Sequence, residues 1–242
     1  MTPKIKVTNC QDCKSYNSSV FCNLDNDLLT NLNRNKSVFL FKKGQYVFAD
    51  EGHPLGVYCI ITGKVKIYKF GLNKDQIVRI GSRSDLIGYR ALIADEVYSA
   101  TAEVLEDAEI CFIPMGVFLY FINKDKEFSL KLMRILSQDV KNAERNSMNI
   151  AQRTVMERLA EYLILMHEKL SKDANAQDVF FSCSRKDLSD IIGCAPETLI
   201  RSLSALKNDE IISIVKKDIK VVDIQRLHRI ANVYRVCSNH RP

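Results

Sequence analysis

Residues 184–212 read SRKDLSDIIGCAPETLIRSLSALKNDEII, and two helix starts are legible in them. Ser184 is a residue type that caps a helix N-terminus, and Asp187 at the third helical position makes an analogue of the capping box. Leu188, Ile191 and Ile192 give this first helix an apolar face. Gly193 suits the left-handed conformation that ends a helix. Pro196 then suits the first turn of the next, where its missing N–H and fixed φ cost nothing. Two short helices joined by so tight a turn make a helix-turn-helix.

In the second helix Leu199 and Leu203 share one face, which is expected to be buried, and Glu197 and Arg201 share another that points outward. A carboxylate accepts from cytosine N4 and a guanidinium donates twice to guanine, each good pair being worth ~1–3 kcal/mol of discrimination. As a plain i,i+4 surface pair the same two residues would contribute only ~0.2–0.5 kcal/mol. The following segment decides between the two readings. Residues 211–222, IISIVKKDIKVV, read as a β-hairpin with a Lys-Lys-Asp tip, the wing of a winged helix. Glu197, Ile200 and Arg201 are thus the candidate base readers. Ser184, Arg185, Thr198, Lys216 and Lys217 are the candidate phosphate contacts, which set register without reading sequence.

Upstream the chain changes character. Seven of the nine glycines lie between Gly44 and Gly88, separating short runs such as GVYCIITG and GKVKIYKFG. The runs alternate apolar and polar residues, as in Val65-Lys66-Ile67-Tyr68-Lys69, and turn signals recur every ~8–12 residues, as in a sandwich or jelly roll. Further strands are expected over Tyr98–Ala102 and Ile110–Ile113. From Phe128 the period becomes helical: Met133, Leu136, Val140, Ala143, Ser147 and Ile150 alternate spacings of three and four, a heptad seam suited to a parallel homodimer. A second helix covers Val155–Met166, and Ser171–Asp178 reads as a surface loop. The expected fold class is α+β: an N-terminal cysteine-containing segment (1–25), a double-stranded β-helix or jelly-roll sensory domain (26–125), a dimerisation helix (126–152) and a winged-helix domain (153–242).

The formal charge of +6 suits a nucleic-acid binder, but residues 152–242 carry 15 Lys+Arg against 12 Asp+Glu, so the excess is not concentrated in the winged helix. Apolar stretches such as Val117–Ile122 fall far short of the ~18 residues of a membrane span, and the opening MTPKIKVTNCQDC has no apolar signal region. A cytoplasmic location with no membrane contact is expected. Eight scattered cysteines read as reduced thiols or metal ligands, not as a disulfide framework.

Enzymatic readings find little support. Only His53 falls in the β-rich region, too few for a cupin-type metal site, and His167, His228 and His240 read as surface or packing residues. Gly63-Lys64 lacks the rest of a phosphate-binding loop, and no Gly-x-Gly-x-x-Gly is present. Cys10-x2-Cys13 is not at the strand-to-helix turn of a βαβ unit, so thiol-disulfide exchange is a weak reading. Cys59 reads as a buried apolar filler, and Cys183, Cys194 and Cys237 have no partners at ligand spacing.

Taken together, Ser84-Asp85-Leu86-Ile87-Gly88, the Tyr98–Ala102 stretch, the long heptad helix and residues 184–212 make the chain resemble the Crp/Fnr superfamily of bacterial regulators over nearly its whole length. The resemblance implies a cyclic-nucleotide-binding-type roll, a homodimer, a two-fold operator in double-stranded DNA and contacts to RNA polymerase. The effector region it implies is Gly88, Tyr89, Arg90, Tyr98 and Ser99. Cyclic-AMP-binding members carry Glu and Arg at the positions of Tyr89 and Tyr98, so cyclic AMP is not expected here: a buried phosphate would lack its counter-charge. The oxygen-sensing branch holds a [4Fe–4S] cluster on three N-terminal cysteines and one in the roll, which Cys10, Cys13, Cys22 and Cys111 resemble, with a longer gap before Cys22. A tetrahedral zinc site or idle thiols are the alternatives. That branch also has an acidic residue where this chain has Ala143, and a Ser where it has Ile200, whose apolar side chain can meet a thymine methyl. The remaining alternative function is a ligand-binding or structural dimer that has lost DNA binding.

Overall fold

The computed structural model describes residues 4–6, 9–71, 75–173 and 180–232, and its contacts divide the chain into two compact units at Lys141/Asn142. In the first unit β1 (Lys4–Lys6), β2 (Ser37–Phe41), β4 (Gly56–Lys69), β5 (Gln76–Gly81) and β7 (Thr101–Pro114) form an antiparallel sheet in the order β1-β2-β7-β4-β5. Two short strands join its flanks, β3 (Tyr46–Phe48) on β7 and β6 (Leu86–Ile87) on β4. This is the expected roll. The runs on either side of Gly63 belong to one 14-residue strand, whose register shifts between Ile60 and Val65. Gly63 has φ 84°, and a Cβ there would stand 2.6 Å from the Asp107 carbonyl oxygen, so only glycine lets the strand bend here.

Two apolar clusters fill this unit. Ile60, Val65, Val104 and Ile110 are buried in one. The other gathers α1 (Asn26–Asn35), α3 (Met115–Lys124) and the start of α4 (Lys126–Gln152) through Leu28, Leu32, Phe118, Phe121, Phe128 and Leu132. Each such side chain contributes about 1.5–3 kcal/mol by leaving water. Cys10, Val20, Phe21 and Leu24, all within the expected 1–25 segment, are buried in this same cluster. Helix α4 starts two residues before Phe128 because Asp125 Oδ1 accepts from the Glu127 and Phe128 N–H groups at 2.8 and 3.1 Å.

The second unit packs α5 (Val155–Asp173), α6 (Arg185–Ile192), α7 (Pro196–Asn208) and α8 (Ile224–Ile230) around Leu159, Leu163, Leu188, Leu199, Leu203 and Leu227. Its sheet has the order β8 (Phe180–Ser182), β10 (Asp218–Val221), β9 (Ile212–Val215). Strand β8 and helix α8 have no periodicity of their own in the sequence and are set by pairing and packing.

Two expected boundaries are corrected. Tyr98–Ala100 lie outside β7, because the Tyr98 backbone bonds instead with the preceding turn, its N–H donating to Gly52 O at 2.9 Å and its carbonyl accepting from Glu51 N–H at 2.8 Å. Helix α5 runs on to Asp173, so the first three residues of the expected Ser171–Asp178 loop are helical, and residues 174–178 lie outside the described residues. Cys237 and His240 also lie outside them. No helix among the described residues is long and apolar enough to cross a membrane.

Candidate nucleic-acid interface and thiol pocket

Ser184 caps α6 as its sequence implies: its hydroxyl accepts from the Asp187 N–H at 3.0 Å and donates to the Asp187 carboxylate. Both of its hydrogen-bonding directions are thereby engaged in the cap. Gly193 ends α6 at φ 73°, its N–H donating to Ser189 O at 2.9 Å, and Pro196 opens α7. Arg158 of α5 holds this turn, with Nε donating to Ile192 O at 2.9 Å. A lone arginine on a helix far from the turn carries no sequence signal for that role.

Helix α7 buries Leu199, Leu203 and Leu206 and leaves Glu197, Ile200 and Arg201 on its outer face, with Ser204 one turn further along. Ile200 is 51% exposed, an apolar side chain held in water. Arg201 donates to Thr198 Oγ1 at 3.4 Å, and among the described residues Glu197 and Arg201 form no ion pair with each other. The i,i+4 surface pair is therefore not made, and both ends are open to an external partner. Lys216 and Lys217 form the exposed tip of the β9–β10 hairpin, with Lys216 at φ 55°. Arg185 is half-buried, and its Nη1 is buried with no partner.

Along α4, Met133, Val140, Ala143, Ser147 and Ile150 are exposed in the single chain, whereas Leu136 is half-buried against the roll core. Val140 and Ile150 are more than half exposed, at 58% and 54%. The polar column beside the seam has a use the sequence reading missed. Arg145, Asn149 (2.9 Å) and Arg153 (3.0 Å) all donate to the carboxylate of Glu161, which is buried on α5. Their i, i+4, i+8 spacing was the available signal.

The five residues expected around an effector do not converge. Tyr89 is buried and its hydroxyl donates to Asp139 Oδ2 on α4, while Tyr98 stacks on Phe48 at 4.0 Å between ring centroids. Gly88 lies against Tyr98, but Arg90 and Ser99 are exposed. Burial, aided for Tyr89 by the Asp139 carboxylate, pushes both phenol pKa values far up, so neither carries charge near neutrality. A groove of about 560 Å³ between Phe39, Phe41, Gln45, Tyr46, Val47, Tyr58 and Phe112 has no cationic side chain in its lining.

The thiols are arranged differently from the expected set. Cys10, Cys13, Cys59 and Cys111 line one small cavity of about 30 Å³ together with Lys36, Tyr16 and Leu32. Cys59 and Cys111 stand opposite one another in the β4–β7 ladder. Cys10 and Cys13 approach on a turn closed by Cys13 N–H to Cys10 O at 3.0 Å. That segment is fastened by Cys10 N–H to Asn33 Oδ1 at 2.8 Å and by the Ser15 hydroxyl to Ile61 O at 2.9 Å. Burial pushes the Cys111 thiol up to about 12, with Lys36 opposing, and raises Cys59 further. Cys22 does not line this cavity, and the Lys131 ammonium donates to its carbonyl at 2.7 Å.

Of the four cysteines expected to hold a [4Fe–4S] cluster, Cys10, Cys13 and Cys111 line this cavity of about 30 Å³ and Cys22 does not. Among the described residues no group of three or more His, Cys, Asp or Glu side chains is placed to hold a metal ion.

Comparison with known proteins finds a separate family match in each unit. Residues 38–125 match the family model of a cyclic nucleotide-binding domain, and residues 157–230 that of a Crp-like helix-turn-helix domain. The chain is 26% identical to the fumarate and nitrate reduction regulatory protein of Vibrio cholerae over 231 residues, 93% of this chain and 91% of that protein. It is 24% identical to the transcriptional activator protein anr of Pseudomonas aeruginosa over 193 residues, 78% of each. Among solved structures, that of FixK2 from Bradyrhizobium japonicum superposes with a TM-score of 0.71 at 25% identity, covering 81% of this chain and 96% of the other.

Proposed function

Because the chain belongs to the Crp/Fnr superfamily and is a DNA-binding transcription regulator, not an enzyme, we propose that it acts in the cytoplasm as a homodimer reading a two-fold operator through α7 and takes its signal at the roll through its cysteines, not from cyclic AMP. The observation that carries the reading is the outer face of α7, where Glu197, Ile200 and Arg201 are exposed and unpaired with one another. Lys216 and Lys217 on the wing, with Arg185 at the start of α6, would set register on phosphates, and Thr198 would add a hydroxyl contact. Two copies joined along the α4 seam would present two reading helices to half-sites about 34–36 Å apart.

Cyclic AMP is disfavoured by the two neutral, buried tyrosines where a ribose and a phosphate would need Glu and Arg. The buried thiols around Cys111 are the better candidate for signal input, as a cluster of soft ligands touching the same core as the first turns of α4. Contact with RNA polymerase follows from the same reading.

Selection of duplexes from a random pool by the full-length protein tests this. Enrichment of a two-fold symmetric site with half-sites one helical turn apart is expected. Recovery of unselected sequence at every salt concentration would instead favour a dimer that no longer reads DNA.

A further inference from the structure

Arg158 on α5 holds more than the turn before the reading helix. Its Nη1 donates to Arg153 O at 2.7 Å while Nε donates to Ile192 O at 2.9 Å, and Gly193 O lies 3.5 Å from Nη2. Arg153 follows Gln152, the last residue of α4, and Ile192 is the last residue of α6. One guanidinium thus spans from the end of the seam helix to the end of the helix that precedes α7. We propose that Arg158 is a positioning residue that fixes the reading helix relative to the dimer seam, and so sets the half-site spacing that the dimer accepts. The inference rests on the operator reading of α7.

Helix chemistry explains why an arginine suits this place. The last carbonyls of a helix have no partner within it and carry partial negative charge. Here the ends of α4 and α6 meet one side chain that stays ionised and whose planar fork donates in separate directions. Ile192 is buried, so its carbonyl depends on a protein partner.

The link between α4 and α5 is held on both sides. Thr154 and Glu157 cap each other, Thr154 N–H donating to Glu157 Oε2 at 2.8 Å and Glu157 N–H to Thr154 Oγ1 at 3.3 Å. The Arg153 side chain donates to Glu161 Oε2 at 3.0 Å and to Ala231 O at 3.3 Å. Ile150, the last residue of the seam, lies three positions before Arg153, and Pro196 opens α7 three positions after Gly193. The path from seam to reading helix therefore runs through fastened groups, and Arg158 is the side chain that touches both ends of it.

The experiment uses the full chain and three duplexes: the two-fold site it enriches from a random pool, the same site with one base pair inserted at its centre, and a single half-site. The insertion moves one half-site by about 3.4 Å and turns it by about 34°. Wild type should prefer the uninserted duplex by about 100-fold or more, the gain from engaging both halves at once. In Arg158→Ala that preference should fall about tenfold, while affinity for the single half-site stays near wild type. A residue needed only for folding would weaken all three duplexes alike and leave the preference intact, which would overturn the proposal. If Arg158→Ala fails to fold by circular dichroism, Arg158→Lys decides alone. It keeps the charge, but one ammonium cannot meet carbonyls that the fork reaches separately, so the preference should fall there too. A wild type blind to the insertion would overturn the operator reading itself, whereas a preference retained in a folded variant would overturn only the role of Arg158.

Discussion

The phenolic oxygen of Tyr89 on α2 (Tyr89–Ala94) lies 2.5 Å from Oδ2 of Asp139 on α4, and the same carboxylate pairs with Arg79 at 3.3 Å. A position at which a nucleotide-binding relative would offer an acid to a ligand here offers a neutral donor to the chain's own long helix. Tyr89→Phe keeps the ring and removes the donor. Leaving Asp139 short of one partner should cost about 1–3 kcal/mol, read as a lower denaturant midpoint at neutral pH. An unchanged midpoint would mean that the bond does not hold in solution.

The buried phenols predict an alkaline limit. Tyr58, Tyr89, Tyr98 and Tyr162 all have pKa values raised above the ordinary 10.0, first by burial. Above pH 10 the unfolded chain loses these protons while the folded chain keeps them, so the unfolded state is favoured as pH rises. Their stabilising contribution is fully present below pH 10 and is lost as pH climbs through the folded values. Unfolding free energy measured in steps above pH 10 should fall, and a quadruple Phe variant should fall less steeply. Parallel slopes would contradict the assignment.

Base reading and phosphate holding separate by sequence dependence. Arg201→Ala should weaken the selected operator by about 1–3 kcal/mol and relax preference at one base step. Lys217→Ala should weaken all duplexes alike and reduce the salt slope by about one. Titrations against the operator and a scrambled duplex at several salt concentrations distinguish them. An equal loss on both duplexes for Arg201→Ala would remove it from the readers.

Dimerisation should depend on Ala143. Ala143→Asp places like charges across the seam, and sedimentation at micromolar concentration should shift from dimer toward monomer while the helical signal persists. A dimer as tight as wild type would show that the copies meet elsewhere.

The Glu161 carboxylate organises its neighbourhood. Glu161→Ala leaves Arg153, itself mostly buried, without its anion and should cost about 3 kcal/mol in thermal unfolding. Glu161→Gln keeps hydrogen-bonding capacity and should lose less. Equal losses would assign the whole effect to the charge.

Much of the architecture was legible because it depends on neighbours in the chain. The Ser184 cap, the Gly193 stop, the Pro196 start and the apolar faces of α6 and α7 are local choices of backbone conformation and periodicity, and each is found where the residues placed it. The same holds for the glycine-punctuated strands of the roll, whereas the join of two runs into one strand through Gly63 depends on pairing with β7. Helix α8 and strand β8 are short, and only the surfaces they meet make them regular.

The thiols mark the boundary most sharply. Eight cysteines and the Cys10-x2-Cys13 spacing were visible from the residues, and with them the expectation of a thiolate site. Which thiols share a cavity was decided by strand register, which sets Cys59 against Cys111, and by the anchoring of the N-terminal turn through Ser15 and Asn33. Local rules determine caps, turns and helix faces because the interacting groups are a few bonds apart. The meeting of Cys10 with Cys111, or of Tyr89 with Asp139, exists only after the sheet has closed, since nothing in the intervening chain encodes their distance.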